Sequence, residues 1–121
     1  MKTVLIDDDV NNVLLLEEIL LPSFAIKSFT NPSKALHYIK THHPHVIISD
    51  LMMPVVDGLE LLKTAKSLNS PNIFIMYTAC DDNCYMEEAF RLGVDAYLVK
   101  PLGVNEFLNS LNRILQQTNS N

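Results

Sequence analysis

Val46-Ile47-Ile48-Ser49-Asp50-Leu51-Met52-Met53-Pro54, continued by Val55-Val56-Asp57-Gly58-Leu59-Glu60-Leu61-Leu62, decides how this chain folds. Val46-Ile47-Ile48 is a short, unbroken apolar run, the pattern of a strand covered on both faces. It ends in Ser49 and the carboxylate of Asp50. Leu59, Leu62 and Ala65 then repeat at helical spacing, so a buried strand hands over to a helix.

The same alternation recurs on either side. Val4-Leu5-Ile6 and Ile73-Phe74-Ile75-Met76 are further unbroken runs. Ala25-Ile26-Lys27-Ser28-Phe29 and Ala96-Tyr97-Leu98-Val99-Lys100 mix polar with apolar residues, as sheet edges with one side in water do. Between them lie helical patterns. Val13, Leu16 and Leu20 mark the first, which must stop near Pro22. Asn31-Pro32 starts the second, a capping residue before a proline at the first helical position, and Ala35, Leu36 and Ile39 give it an apolar face. The fourth begins after Asp81-Asp82, carries Ala89 and Phe90, and stops at Gly93. Val104, Phe107, Leu108, Leu111, Ile114 and Leu115 form the stripe of the last.

Five strands alternating with five helices imply an α/β fold, a doubly wound parallel sheet with helices on both faces. Two polar edge strands and three apolar interior ones give the strand order 2-1-3-4-5. The 121 residues suit one domain, 1–121, with Gln116 to Asn121 read as a tail or the start of a linker. Hydrophobic residues at 48% and charged residues at 19% suit a globular core. The net charge of −5 disfavours direct contact with nucleic acid. No apolar run reaches the roughly 18 residues that span a bilayer, and Asp7 comes too early for a signal peptide. Two cysteines, Cys80 and Cys84, in such a chain point to a reduced, cytoplasmic protein rather than a disulfide framework.

Ligands of open parallel sheets bind at the carboxyl ends of strands, where strand order reverses. Strand one ends in Asp7-Asp8-Asp9, strand three in Ser49-Asp50, strand four in Tyr77-Thr78-Ala79 and strand five in Lys100-Pro101. The proposed order brings Asp7, Asp8 and Asp50 together. Asp9 reads as a helix cap. Three carboxylates in one crevice repel one another unless a cation sits among them. Mg²⁺ suits them best, because it takes one or two carboxylates and leaves positions for phosphoryl oxygens. A carboxylate beside Mg²⁺ can attack phosphorus, with the hydroxyl of Thr78 and the ammonium of Lys100 to meet the spreading charge. His42, His43 and His45 cluster around Pro44 in a surface turn, where a metal site is not favoured.

With those residues in hand, the chain resembles the receiver domain of bacterial response regulators, the flavodoxin-like fold of the chemotaxis response regulator. The likeness runs from Val4-Leu5-Ile6-Asp7-Asp8-Asp9 through Ser49–Pro54, Asp57–Leu62 and Tyr77-Thr78-Ala79 to Val99-Lys100-Pro101. It implies that Asp50 is the phosphoacceptor in two-component signal transduction. Asp7, Asp8, Asp50 and the backbone carbonyl of Met52 would hold Mg²⁺, Thr78 and Lys100 would contact the phosphoryl group, and Lys100-Pro101 would be cis. Thr78 and Tyr97 would switch the surface formed by helix four, strand five and helix five. The donor would be a phosphohistidine on a sensor histidine kinase or phosphotransfer domain docking near helix one, and the target a downstream effector domain or protein. A homodimer through the output face is a habit of the family.

The resemblance implies a signalling switch whose only catalysis is its own phosphorylation and dephosphorylation. Met52 and Cys80, each two residues beyond Asp50 and Thr78, offer nothing to orient hydrolytic water, so slow self-dephosphorylation is expected. The rival enzyme is a phosphatase of the haloacid-dehalogenase-like type, which needs an acid where Met52 stands. A flavin-binding module would need a Ser/Thr/Gly-rich phosphate loop where Asp7-Asp8-Asp9 stands. A stand-alone regulator and a receiver within a longer chain are both open.

Overall fold

The apolar run that opens the deciding stretch becomes the centre of a five-stranded parallel sheet. In the computed structural model, which describes residues 2–119 and their side chains through residue 117, β3 (Val46–Ser49) is buried at every position. It pairs with β1 (Lys2–Ile6) on one side and β4 (Ile73–Thr78) on the other. β2 (Ala25–Phe29) and β5 (Ala96–Val99) form the two edges, giving the order β2-β1-β3-β4-β5. Both edge strands are only partly buried, as their mixed composition requires. No described helix is long and apolar enough to cross a membrane.

Alternation along the strands splits the core in two. Val4, Ile6, Ile47, Phe74 and Met76 face α2 (Pro32–His42), α3 (Gly58–Ser67) and α4 (Asn83–Arg91). Leu5, Val46, Ile48 and Ile75 face α1 (Val10–Leu20) and α5 (Val104–Asn119). Phe74 is completely buried; a cavity left by Phe74→Ala would cost about 3–5 kcal/mol.

Local signals fix the helix ends. Asp9, Asn31, Asp57 and Asp82 each cap a helix through the side chain, satisfying N–H groups that the first turn leaves unpaired. Leu20 ends α1 before Pro22, and Gly93 adopts φ +98° after α4. Lys100-Pro101 is cis, as the resemblance implied, and so is Leu21-Pro22.

Three helix faces differ from the expected ones. On α3, Leu61 joins Leu62 and Ala65 in full burial, whereas Leu59 is only partly covered. Phe90 on α4 and Val104 on α5 are about half exposed, at 53% and 50%. Phe90 follows the buried Ala89 by one residue, which turns it about 100° off the core line; Val104 starts α5 beyond the sheet. α5 continues through Asn119, into the stretch read as a tail or the start of a linker, and residues 120–121 lie outside the described residues.

Candidate phosphoryl-accepting site

The carboxyl ends of β1, β3, β4 and β5 meet at one edge of the sheet, and each delivers a polar group. Asp7 follows β1 and is 3% exposed. Its Oδ1 accepts from the Asp9 amide at 3.0 Å, and its Oδ2 from the Asn12 side-chain amide at 3.2 Å. Asp8, beside it, is exposed. Asp50 follows β3 and is partly buried, with the Leu51 amide donating to its Oδ1 at 2.7 Å. One carboxylate oxygen from each of Asp7, Asp8 and Asp50 lies within 4.8 Å of the others.

Lys100 follows β5 and reaches back over this cluster. Its Nζ donates to Asp7 Oδ2 at 2.6 Å and to Asp50 Oδ2 at 3.4 Å, and lies 5.4 Å from the Tyr77 ring centroid. Desolvation opposes the ammonium, but the bond to Asp7 and the charges of Asp50 and Asp7 outweigh it, so its pKa is raised. Three carboxylates against one ammonium still leave two uncompensated negative charges. The strain shows on Asp8, whose pKa is raised by desolvation and then by Asp7 and Asp50. Because Asp8 stands largely in water, the like charges are the physically heavier of these causes. An all-oxygen set with two unbalanced charges fits a hard divalent cation such as Mg²⁺.

Thr78 ends β4, is buried, and its Oγ1 accepts from the Cys80 amide at 3.3 Å. The Lys100 amide donates to the Thr78 carbonyl at 2.7 Å, which ties the ends of β4 and β5 together. Tyr97 is partly buried, and its hydroxyl donates to the Cys80 carbonyl at 2.7 Å. Burial and then this hydrogen bond push its pKa well above the usual tyrosine range. Met52 is 54% exposed in the loop after Asp50.

Asp7, Asp8, Asp50 and Lys100 therefore come together as the sequence suggested, although Lys100 bonds more closely to Asp7 than to Asp50. Asn12 went unnoticed in the sequence, and its distance of five residues from Asp7 is no motif. Gly58 was read as part of a signature, and the structure supplies its reason. A Cβ there would lie 2.4 Å from the Asp50 carbonyl oxygen, so only glycine lets α3 start against the loop that carries Asp50. The Gly58 amide donates to the Leu51 carbonyl at 2.8 Å and pins the same loop.

The histidines have separate local roles. His42 stacks on Tyr38 at 4.0 Å, His43 takes the left-handed C-cap of α2, and His45 Nδ1 accepts from the Lys2 amide. Among the described residues, Asp7, Asp8 and Asp50 are the one trio of potential ligands close enough to share a metal. Cys80 and Cys84 are both free thiols.

Comparison with known proteins bears on the family to which the chain belongs. The chain is 30% identical to the uncharacterized transcriptional regulatory protein YesN of Bacillus subtilis, over 97% of its own length and 33% of that protein. It is 28% identical to the chemotaxis protein CheY of Halobacterium salinarum, covering 94% of this chain and 96% of CheY. The BeF3-activated receiver domain of DrrB, a Thermotoga maritima protein, superposes with a TM-score of 0.85 at 26% identity, covering 95% of this chain and 97% of that one. The chain thus spans about a third of the Bacillus relative. The family model described as the response regulator receiver domain matches residues 3–112, so the chain belongs to the response regulator receiver domains of two-component systems.

Proposed function

We propose that Asp50 receives a phosphoryl group from a phosphohistidine on a sensor kinase or phosphotransfer domain. An Asp50 carboxylate oxygen bonds to phosphorus as the phosphorus–nitrogen bond breaks, and the imidazole keeps the electron pair. Asp7, Asp8, Asp50 and the Met52 backbone carbonyl would hold Mg²⁺, which supplies positive charge for the phosphoryl oxygens. The Lys100 ammonium, already on Asp50, stays with the charged product, and the Thr78 hydroxyl offers a hydrogen bond to it. The observation that carries this reading is the convergence of three carboxylates within 4.8 Å under a single lysine.

The output step uses Thr78 and Tyr97. A dianion on Asp50 attracts the Thr78 hydroxyl, whose present partner is the Cys80 amide, and Tyr97 holds the carbonyl of that same Cys80. Cys80 therefore links the phosphoryl pocket to β5, and a change at Thr78 shifts the balance between two packings of the α4–β5–α5 surface. The effector is either a further part of a longer chain or a separate protein. The chain acts as a switch rather than as a phosphatase, since the exposed thioether of Met52 cannot protonate a leaving group. Incubation with acetyl phosphate and Mg²⁺, followed by intact mass measurement, tests this: one phosphoryl mass should appear and should be absent from Asp50→Ala. No gain, or a gain that survives the substitution, refutes it.

A further inference from the structure

An open groove of about 590 Å³ lies between β2 and α2, on the edge of the sheet away from β5. Lys27 and Phe29 share one face of β2, and α2 contributes Lys34, His37, Tyr38 and His42. The floor is aromatic. Phe29 and Tyr38 lie 5.2 Å apart, Tyr38 stacks on His42, and the Lys27 ammonium sits 5.9 Å from the Phe29 ring. The lining has two lysines, two histidines and no acid, in a chain with a net charge of −5. Among the described residues, β1 is the only strand paired with β2, so the outer backbone edge is open to a further strand.

We infer that this groove and edge take an extended acidic peptide segment of a partner protein, laid alongside β2. Main-chain hydrogen bonds to the strand edge supply affinity, and every second side chain of the peptide falls over the groove. An apolar side chain covers Phe29 and Tyr38, while carboxylates meet Lys27 and Lys34. Exposed ion pairs add little energy each; here they choose the sign of the partner and steer its approach. Nucleic acid fits less well, because a polyanion meets only two permanent cations on a chain that is negative overall.

The probe is a fluorescein-labelled peptide, Glu-Glu-Phe-Phe-Glu-Glu, which presents Glu-Phe-Glu on each face of a strand. Its glutamine counterpart and a thymidine hexanucleotide are the comparators, read by anisotropy at low salt and by backbone amide shifts. The acidic peptide should bind, with shifts confined to β2 and α2, and at least about tenfold more tightly than the glutamine peptide. Lys27→Glu combined with Lys34→Glu should weaken it by a similar factor while the circular dichroism and melting temperature stay unchanged. No binding, equal binding of the glutamine peptide, tighter binding of the oligonucleotide, or shifts elsewhere would each overturn the inference. Should the double variant unfold, Lys27→Gln and Lys34→Gln singly must each weaken binding; unchanged affinity in both would also overturn it.

Discussion

Replacing Gly58 with alanine would drive a methyl group into the loop that carries Asp50. The new Cβ would lie 2.4 Å from the Asp50 carbonyl oxygen, 2.9 Å from Leu51 Cα and 2.9 Å from Met76 Sδ. Ordinary contact begins near 3.4 Å, so the Asp50 carbonyl must retreat by about 1 Å, and two of the three obstacles are backbone. Met76 offers no easy relief because it is fully buried. Overpacking of this kind costs about 1–3 kcal/mol, and alanine's better helix propensity recovers little at the first position of a helix. For 121 residues each kcal/mol lowers the melting temperature by roughly 4 °C, so a fall of about 4–12 °C is expected. Function should suffer beyond stability. The loop that moves is the one in which the Leu51 amide orients Asp50 Oδ1, and misplacement by about 1 Å can slow a reaction by about 10²-fold. Urea melts and acetyl phosphate labelling, run where both proteins are folded, measure the two effects. Gly103→Ala is the control, since its Cβ would meet only the flexible Glu106 carboxylate at 3.4 Å. A Gly58→Ala protein with the stability and labelling rate of the parent would refute this account of the loop.

Three further outcomes follow from the same region. Val55 is 90% exposed at φ +71°, in a three-residue turn closed by the Val56 amide on the Pro54 carbonyl at 2.8 Å; Val55→Gly should relieve this strain and raise stability by about 0.5–1 kcal/mol in urea melts. The raised pKa of Asp8 means that the folded state binds its proton more tightly than the unfolded chain does, so the repulsion is present at neutral pH and fades as pH falls through that pKa. Without Mg²⁺, Asp8→Asn should therefore melt roughly 1–4 °C higher than the parent at pH 7, the gap should close on acidification, and Mg²⁺ should raise the melting temperature of the parent more than that of the variant. Met52→Asn, which places an amide at the mouth of the site, should shorten the phosphoryl lifetime by several-fold or more in a label-decay assay with Mg²⁺; an unchanged lifetime would remove Met52 from the account of slow hydrolysis.

Strand ends were the most legible part of this sequence. Unbroken apolar runs that lead to Asp7, Asp50 and Thr78, and the mixed edge strand that leads to Lys100, fix both the layer and the edge of each residue, because parallel strands all present their carboxyl ends to one rim. Helix faces were less legible where a helix overhangs the sheet. Val104 keeps the period of Phe107 and Leu111 yet lies beyond the strands that would cover it. Asn12, the Cys80 carbonyl and the contact between Gly58 and Asp50 left no mark in spacing, since each depends on how closely two elements approach. The preference of Lys100 for Asp7 was likewise hidden, because a side chain reaching past the ends of β4 and β3 obeys local charge rather than strand order.

Borohydride reduction tests the central claim most directly. A mixed anhydride between a carboxylate and phosphate is reduced to an alcohol, so aspartyl phosphate becomes homoserine while free carboxylates do not react. After incubation with acetyl phosphate and Mg²⁺, reduction and peptide sequencing should find homoserine at position 50 and at no other aspartate. Homoserine at Asp7, Asp8 or Asp57, or label that resists the reduction because it sits on a histidine or serine, would contradict the assignment of Asp50 as the acceptor.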